Sequence, residues 1–504
     1  MALVPVTISD GQVSGVDSLS SAASSVVNFD IDEAGISRPR PPLVADAITG
    51  MSTLPVSGLA KFKQFTIVTV SDGEEYSATT AGALDGRKVY AINDASPTTA
   101  VELTGTYVGA PFATALGSSR PRFVVGQDHI YIVSGRAGYT VSSTNLSQAG
   151  TILRWDGVTA SLSCAADVEA THICSLGQRL IANDTTDPQV FRWSAIGDGN
   201  WTSWPAGNVS EADARPDPVV AVDASTNELF VWGTQTLQVY AVGSDPTFPF
   251  EPVVAMNIGI SAPYSMIRLD EAFAFIDDKK RIVISDGRTV QPIGDAILRD
   301  IRGMSDISDA HGWRFEYGQQ SYLVWRFPTA GRTFVYCLKT QKWQEWKRYL
   351  APFQRDFPGG AYLYRETDEM HVVGLDTSTG GLAHFTDWPA QELGGPLVAE
   401  RTTGWTDHGT ENRKRSTRVR VTMRRGTAAE GSTPGALEVR VQDDDGPWSP
   451  WEQVSVGGPD DYAQTVDLYM GGIFRRRRYG LRYSSSDDTA ITRLSDDVTD
   501  LGEG

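Results

Sequence analysis

Four consecutive arginines, Arg475 to Arg478, stand in the stretch GGIFRRRRYGLRY, inside a chain of 504 residues with a formal net charge of −18. Guanidinium groups so grouped can grip phosphates, pair with carboxylates across a subunit seam, or sit paired on an ordinary strand. A second basic group lies upstream, with seven Lys and Arg residues between Glu411 and Gly426. The candidate subunit-interface residues are Arg475, Arg476, Arg477, Arg478, Arg413 and Arg415. Drawn as a strand, Ile473, Arg475, Arg477, Tyr479, Leu481 and Tyr483 share one face, and Phe474, Arg476, Arg478, Gly480 and Arg482 the other. Neither face is wholly apolar, so this strand is not expected at the centre of a core. Its arginines need partners, and Asp443 to Asp445, Asp460, Asp461, Asp487 and Asp488 are near in sequence.

Other chemistry is sparse. The six histidines show no pairing at metal-site spacing, and Cys164 and Cys174 have no second cysteine pair to complete a zinc site. In VQDDDGPWSPWE a calcium loop would need a ligand where Val441 stands, so a hairpin turn explains the run better. GISAP has Pro263 where a serine nucleophile elbow needs glycine. No phosphate loop or dinucleotide fingerprint occurs. DDDGPWSPW and DGNWTSW both depart from the Ser-x-Asp-x-Gly-x-x-Trp box of propeller sialidases. These residues imply no catalytic group, metal or cofactor. A glycan-binding or glycan-hydrolysing propeller remains an alternative, because 62 acidic residues always supply carboxylate pairs.

A chain this acidic repels a phosphate backbone at long range unless its positive charges are locally grouped. Nucleic-acid binding through the Arg-rich C-terminal strands is therefore the second alternative. Three cysteines make no disulfide framework and fit folding in a reducing compartment. No signal sequence is expected from MALVPVTISDG, and no run approaches the ~20 apolar residues that span a bilayer.

The elements that must position these residues are strands. FTIVTV (65–70), RFVV (122–125), HIYIV (129–133), ELFVW (228–232), LQVYAV (237–242), AFAFI (272–276), RIVIS (281–285), SYLVWRF (321–327) and RTFVYCL (332–338) are short runs of β-branched and aromatic residues between turn signals. DAILRDI (295–301) is a short helix at most. The chain is expected to be all-β. Strand, polar turn and tryptophan recur in TILRWDG, VFRWSAIGDGNWTSW, TFVYCLKTQKWQEW and DDDGPWSPWEQV, which suggests the blades of a β-propeller core; separate sandwiches with buried tryptophans are the alternative. Residues 1–45, with Pro39, Pro41 and Pro42, read as an extended N-terminal arm that reaches a neighbouring subunit or straps its own domain. Residues 46–400 are assigned to the propeller, with 46–150 either blades or an inserted β subdomain. Residues 401–504 form a C-terminal antiparallel β unit, in which RVRVTM and LEVRVQ alternate like half-buried strands and the acidic tail frays at its end.

At 226–350 the succession resembles the tail nozzle proteins of short-tailed bacteriophages, also called packaged-DNA stabilisation or tail accessory proteins. The resemblance rests on Gly259, Ile260, Pro263 and Tyr264 in a "G-I/C-x-x-P-Y/F" turn, and on Phe327, Pro328, Thr333, Val335, Tyr336 and Trp343 in an "F-P…T-x-V-Y-D-x…W" unit. Cys337 stands where many members have Asp, and GIFRRRRYGLRYS is similar to the family's closing strand. The resemblance implies a propeller-based subunit of a homo-oligomeric ring, usually a hexamer, in the virion tail. Such a ring, assembled in the host cytoplasm, extends the channel below the portal-adaptor protein. It retains packaged double-stranded DNA, conducts it during ejection without tight binding, and offers attachment sites to a tail fibre or tailspike. An acidic chain suits that channel, because each neutralised phosphate would add to binding and resist sliding.

Overall fold

The computed structural model describes residues 2–6, 25–31, 36–71, 87–107, 110–112, 120–133, 139–141, 146–148, 152–166, 168, 170–197, 201–212, 217–376, 380–387, 391–425, 435–456, 463–485 and 489–502. The described residues are nearly all β, and the longest helix among them, Leu298–Gly303, follows a 3-10 turn at Asp295–Ile297, where the sequence suggested a short helix.

Short strands joined by tight turns cannot bury both faces alone, so they pair into small antiparallel sheets that stack on one another. Among the described residues these sheets form seven blades. Blades one (Val56–Phe62 to Ala100–Tyr107) and two (Arg122–Val125 to Ser161–Ala166) join at their outer strands, and a small hairpin, Tyr139–Val141 with Leu146–Gln148, is inserted in blade two. Blades three (Ile173–Leu176 to Val209–Glu211), four (Val219–Ala224 to Phe250–Met256) and five (Ile267–Arg268 to Val290–Pro292) are separate four-stranded sheets. Blade six runs from His311–Tyr317 to Lys342–Glu345. Blade seven takes three strands from Gly359–Arg365 to Leu382–Phe385 and its fourth, Leu43–Ala45, from the N-terminal region. That pairing of chain start with last blade closes the ring.

Aromatic side chains wedge between neighbouring blades. Phe230 and Trp232 of blade four meet Phe273 of blade five with ring centroids 4.8 and 5.0 Å apart, and Phe191 of blade three meets Tyr240 of blade four at 5.2 Å. Each such pair adds about 0.5–1.5 kcal/mol beyond its area burial. The Gly259 turn requires glycine, because a Cβ there would lie 2.1 Å from the Thr234 backbone.

The rest of the chain makes a two-sheet sandwich. One sheet orders Phe29–Ile31, Ser37–Pro39, Thr489–Asp500, Lys414–Arg425 and Ala463–Leu468; Ala2–Val6 also pairs with Thr489–Asp500, and Gly472–Phe474 with Lys414–Arg425. The other continues blade six through Val26–Val27 to Leu397–Thr402, Arg477–Ser485, Ala436–Asp443 and Glu452–Ser455. Phe29, Ala399, Val419, Val421, Leu437, Val439, Tyr479, Leu481 and Leu494 fill the space between them.

The described N-terminal strands are extended and pair with their own chain in both the sandwich and blade seven. Two sequence expectations change here. The acidic C-terminal stretch carries a twelve-residue strand, Thr489–Asp500, held between other strands; its inward Ile491 and Leu494 outweigh the acidic residues around them. Arg477–Ser485 is an internal strand with neighbours on both sides. Tyr479, Leu481 and Tyr483 supply its apolar face, and the arginines are neutralised rather than excluded. The Asp443–Gly446 run does form a turn, with Gly446 N–H donating to the Asp443 carbonyl.

Candidate interface on the C-terminal sandwich

The four arginines divide among different surroundings because the chain crosses between sheets at Arg475 and Arg476. Gly472–Phe474 pairs with one sheet and Arg477–Ser485 with the other. At the crossing the Asp444 carboxylate accepts from the backbone N–H of Arg475 and of Arg476. Arg475 is exposed and donates to the Glu411 carbonyl, and Arg476 pairs with Asp445 and lies over the Trp405 ring at 4.9 Å.

Arg477 is 0% exposed and cannot meet another subunit directly, so it leaves the candidate interface set. Its fork meets Asp443 at 2.6 and 2.8 Å, its third nitrogen lies 3.3 Å from Asp496, and its plane covers Phe474 at 4.0 Å. Desolvation opposes the charge, yet the Asp443 carboxylate holds the guanidinium pKa above its ordinary value. Asp496 also accepts from Ser416 and Tyr479, whose phenol is pushed well up by burial and by that carboxylate. Of the acidic partners suggested by the sequence, Asp443 to Asp445 are brought to the arginines; Asp460, Asp461, Asp487 and Asp488 lie outside the described residues.

Arg476 and Arg478 belong to a ladder of arginines and tryptophans that runs along this sheet. Trp405 lies between Arg476 and Arg478, Trp448 between Arg478 and Arg440, and Trp451 between Arg440 and Arg482, with guanidinium-to-ring distances of 4.2 to 5.0 Å. Glu400 pairs with both Arg440 and Arg482, and Glu438 with Arg482. Desolvation lowers the Arg440 pKa; Glu400 opposes this, and Arg482 and Arg478 add repulsion. Gly480 leaves room for the stack, since a Cβ there would lie 2.9 Å from the Arg440 side chain and 3.4 Å from Trp451. Each of the three indoles has two guanidinium groups within 5.0 Å of its ring centroid, which leaves little ring surface for a base or sugar to stack on. The WSPW spacing and the arginines at 478 and 482 around Gly480 were visible in the sequence, but their interleaving needed the strand register.

Arg415 is exposed on the other sheet, and Arg413 is exposed just before the strand Lys414–Arg425. Arg415 stands opposite Ile473, which is 58% exposed, and Tyr469, just past the end of Ala463–Leu468, is 78% exposed. The structure thus collects Arg413, Arg415, Arg475, Ile473 and Tyr469 near one sheet edge.

A second polar region lies at the centre of the propeller, where the innermost strands enclose a cavity of about 540 Å³. Tyr264, from the Gly259 turn, stacks on His172 at 4.9 Å and lies below Arg122 at 5.6 Å. Burial and neighbouring arginines keep His172 and His311 neutral, with pKa values well below the ordinary range. No single stretch of sequence announces this region, because all seven blades contribute to its lining. No helix among the described residues is long and apolar enough to cross a membrane.

Among solved structures, the chain is similar to Hsv2 of Kluyveromyces lactis at 10% identity, covering 64% of this chain and 97% of that one with a TM-score of 0.32. A putative exported protein of Bacteroides fragilis matches at 10% identity over 73% and 88%, TM-score 0.31. A family 43 glycoside hydrolase, an arabinoxylan arabinofuranohydrolase of Bacillus subtilis, matches at 11% over 90% and 97%, TM-score 0.25. These likenesses are too distant to carry function. No curated protein matches the chain. A family model described as "Bacteriophage P22 Gp10, beta-propeller" matches residues 105–380, more than half of the chain and most of the blades, and the chain belongs to this family of tail accessory, DNA-stabilising proteins of short-tailed phages.

Proposed function

We propose that this structural tail protein assembles as a ring of identical subunits, a hexamer by its resemblance, that extends the portal-adaptor channel, retains packaged DNA and conducts it at ejection. Family membership carries the reading. The exposed group of Arg413, Arg415, Arg475, Ile473 and Tyr469 supports a seam between copies: it joins aromatic and apolar surface to cations on a chain of net charge −18, so a neighbouring acidic copy is its electrostatic complement. Arg476 and Arg478, the remaining arginines of the candidate set, belong to the tryptophan ladder. A lumen lined by so acidic a protein repels the duplex and lets it slide.

Negative-stain imaging and native mass measurement, alone and with the portal-adaptor complex, test this. Ring particles are expected, and Tyr469→Asp with Ile473→Asp is expected to abolish them while leaving the circular dichroism spectrum of the subunit unchanged. A chain that stays monomeric in both settings overturns the reading. Salt-dependent duplex binding lost on neutralising Arg475, Arg476 and Arg478 would favour a DNA-gripping role instead.

A further inference from the structure

Two charged groups reach the propeller cavity, one through Arg120 alone and one through Arg122, Arg268 and Asp223, and they differ in how their charges are met. In one, Arg120 lies 2.8 Å from Asp376, Arg326 lies 2.8 Å from Asp356, and Arg326 also pairs with Asp376. In the other, Arg122, Arg268 and Asp223 all face the cavity, yet no direct ion pair joins them among the described residues. Arg122 makes only a long 3.4 Å bond to the Pro263 carbonyl, and Asp223 accepts only from the backbone N–H of Ala224 at 2.8 Å. These groups feel one another's charge, and burial both lowers the Arg122 pKa and raises that of Asp223. Arg122 and Asp223 are half-buried at the cavity and Arg268 stands exposed at it; two cations and one carboxylate, unjoined, leave a net positive gap that a bridging anion would fill.

We propose that Arg122, Arg268 and Asp223 form a binding site for a hydrogen-phosphate group, free or as a phosphomonoester. The unprotonated oxygens accept from the two guanidinium groups, and the P–OH donates to the Asp223 carboxylate. The Tyr264 ring, fixed by its stack on His172, forms one wall beside Arg122. Asp223 makes the site selective: sulfate carries no proton at neutral pH and would set a bare oxygen against the carboxylate. A phosphodiester also lacks the P–OH, so backbone phosphates of DNA are rejected.

Isothermal calorimetry on the full chain at pH 6.5, in a phosphate-free buffer of fixed ionic strength, tests the site with inorganic phosphate, glycerol phosphate and sulfate. Phosphate or its monoester is expected to bind at least about tenfold tighter than sulfate, and the tighter of the two identifies the natural form. Arg122→Gln should weaken phosphate binding about tenfold or more, and Asp223→Asn should remove the discrimination against sulfate, with folding of each checked by circular dichroism. Equal binding of phosphate and sulfate by the wild type, no binding of any of the three, or unchanged phosphate binding in a folded Arg122→Gln chain overturns the proposal. The wild-type comparison decides even if a variant fails to fold.

Discussion

The Arg40 guanidinium and the Glu392 carboxylate, separated by 352 residues in the chain, meet at 2.7 Å with both side chains about 1% exposed. Around them Asn28 accepts from Arg40 and from the Lys347 backbone, and donates to the Lys347 and Val398 carbonyls. Glu392 accepts from the Leu43 N–H at 2.7 Å, and Arg40 covers the rings of Trp346 and Phe357 at 5.5 and 5.0 Å. One buried network thereby ties the exit of blade six, the closing strand of blade seven and the first sandwich strand together.

Breaking that pair from one side strands a buried charge. Arg40→Met or Glu392→Gln is expected to cost about 3–5 kcal/mol, while Arg40→Met with Glu392→Leu recovers a substantial part. Urea midpoints of the three variants check this; equal losses in single and double variants would sink it.

The arginine run should show opposite sensitivities at adjacent positions. Arg477→Met removes the partner of Asp443 and Asp496 and should cost about 3–5 kcal/mol. Arg476→Ala, at an exposed pair with one ring contact, should cost about 1 kcal/mol or less. Thermal melts of both variants distinguish them.

Gly480→Ala tests the ladder without straining the backbone. Its new Cβ pushes Arg440 off Trp451, so stability should drop by about 1 kcal/mol and tryptophan emission should change. An unchanged emission spectrum would show that the stack does not depend on that space.

His172 and His311 give the propeller an acid-sensitive side. Their folded pKa values lie well below 6.5, because desolvation and neighbouring arginines disfavour the charged ring. Below about pH 6.5 the unfolded chain takes up protons that the folded chain refuses, so their stabilisation is full above that pH and is lost as pH falls toward the folded values. Each histidine contributes at most about 1.4 kcal/mol of loss per pH unit in that window. Asp223 and Asp356, whose carboxyls burial pushes up, work in the opposite sense. Urea melts at pH 7.5 and 5.5 should therefore differ less in a His172→Gln, His311→Gln chain than in the wild type.

Deleting residues 1–45 should open the ring, since Leu43–Ala45 is the fourth strand of blade seven and Arg40 goes with it. Deleting 1–24 removes only Ala2–Val6 among the described strands and should be milder. Limited proteolysis is expected to cut the blades of the first variant rapidly and leave those of the second intact. Equal resistance would show that closure at blade seven is dispensable.

Local pattern determined the strands. Glu228–Gly233, Leu237–Val242 and Arg332–Cys337 fall within a residue of their alternating runs, because β-branched and aromatic side chains bounded by Gly, Asp and Pro leave the backbone few other choices. The order of Gly259, Pro263 and Tyr264 before Phe327 and Trp343 also carried the family resemblance that the family match supports. What each arginine does was decided only by tertiary structure. Arg477 and Arg478 are adjacent, yet a strand points them to opposite faces, one toward the buried Asp496 and the half-buried Asp443, the other against two indoles. Charge and composition are properties of a segment, but neutralisation depends on which distant strand supplies the partner. Asp443, Asp496, Trp405 and Trp448 reach those arginines through strand register. For the same reason the channel residues, drawn from all seven blades, exist as a group only once the ring has closed.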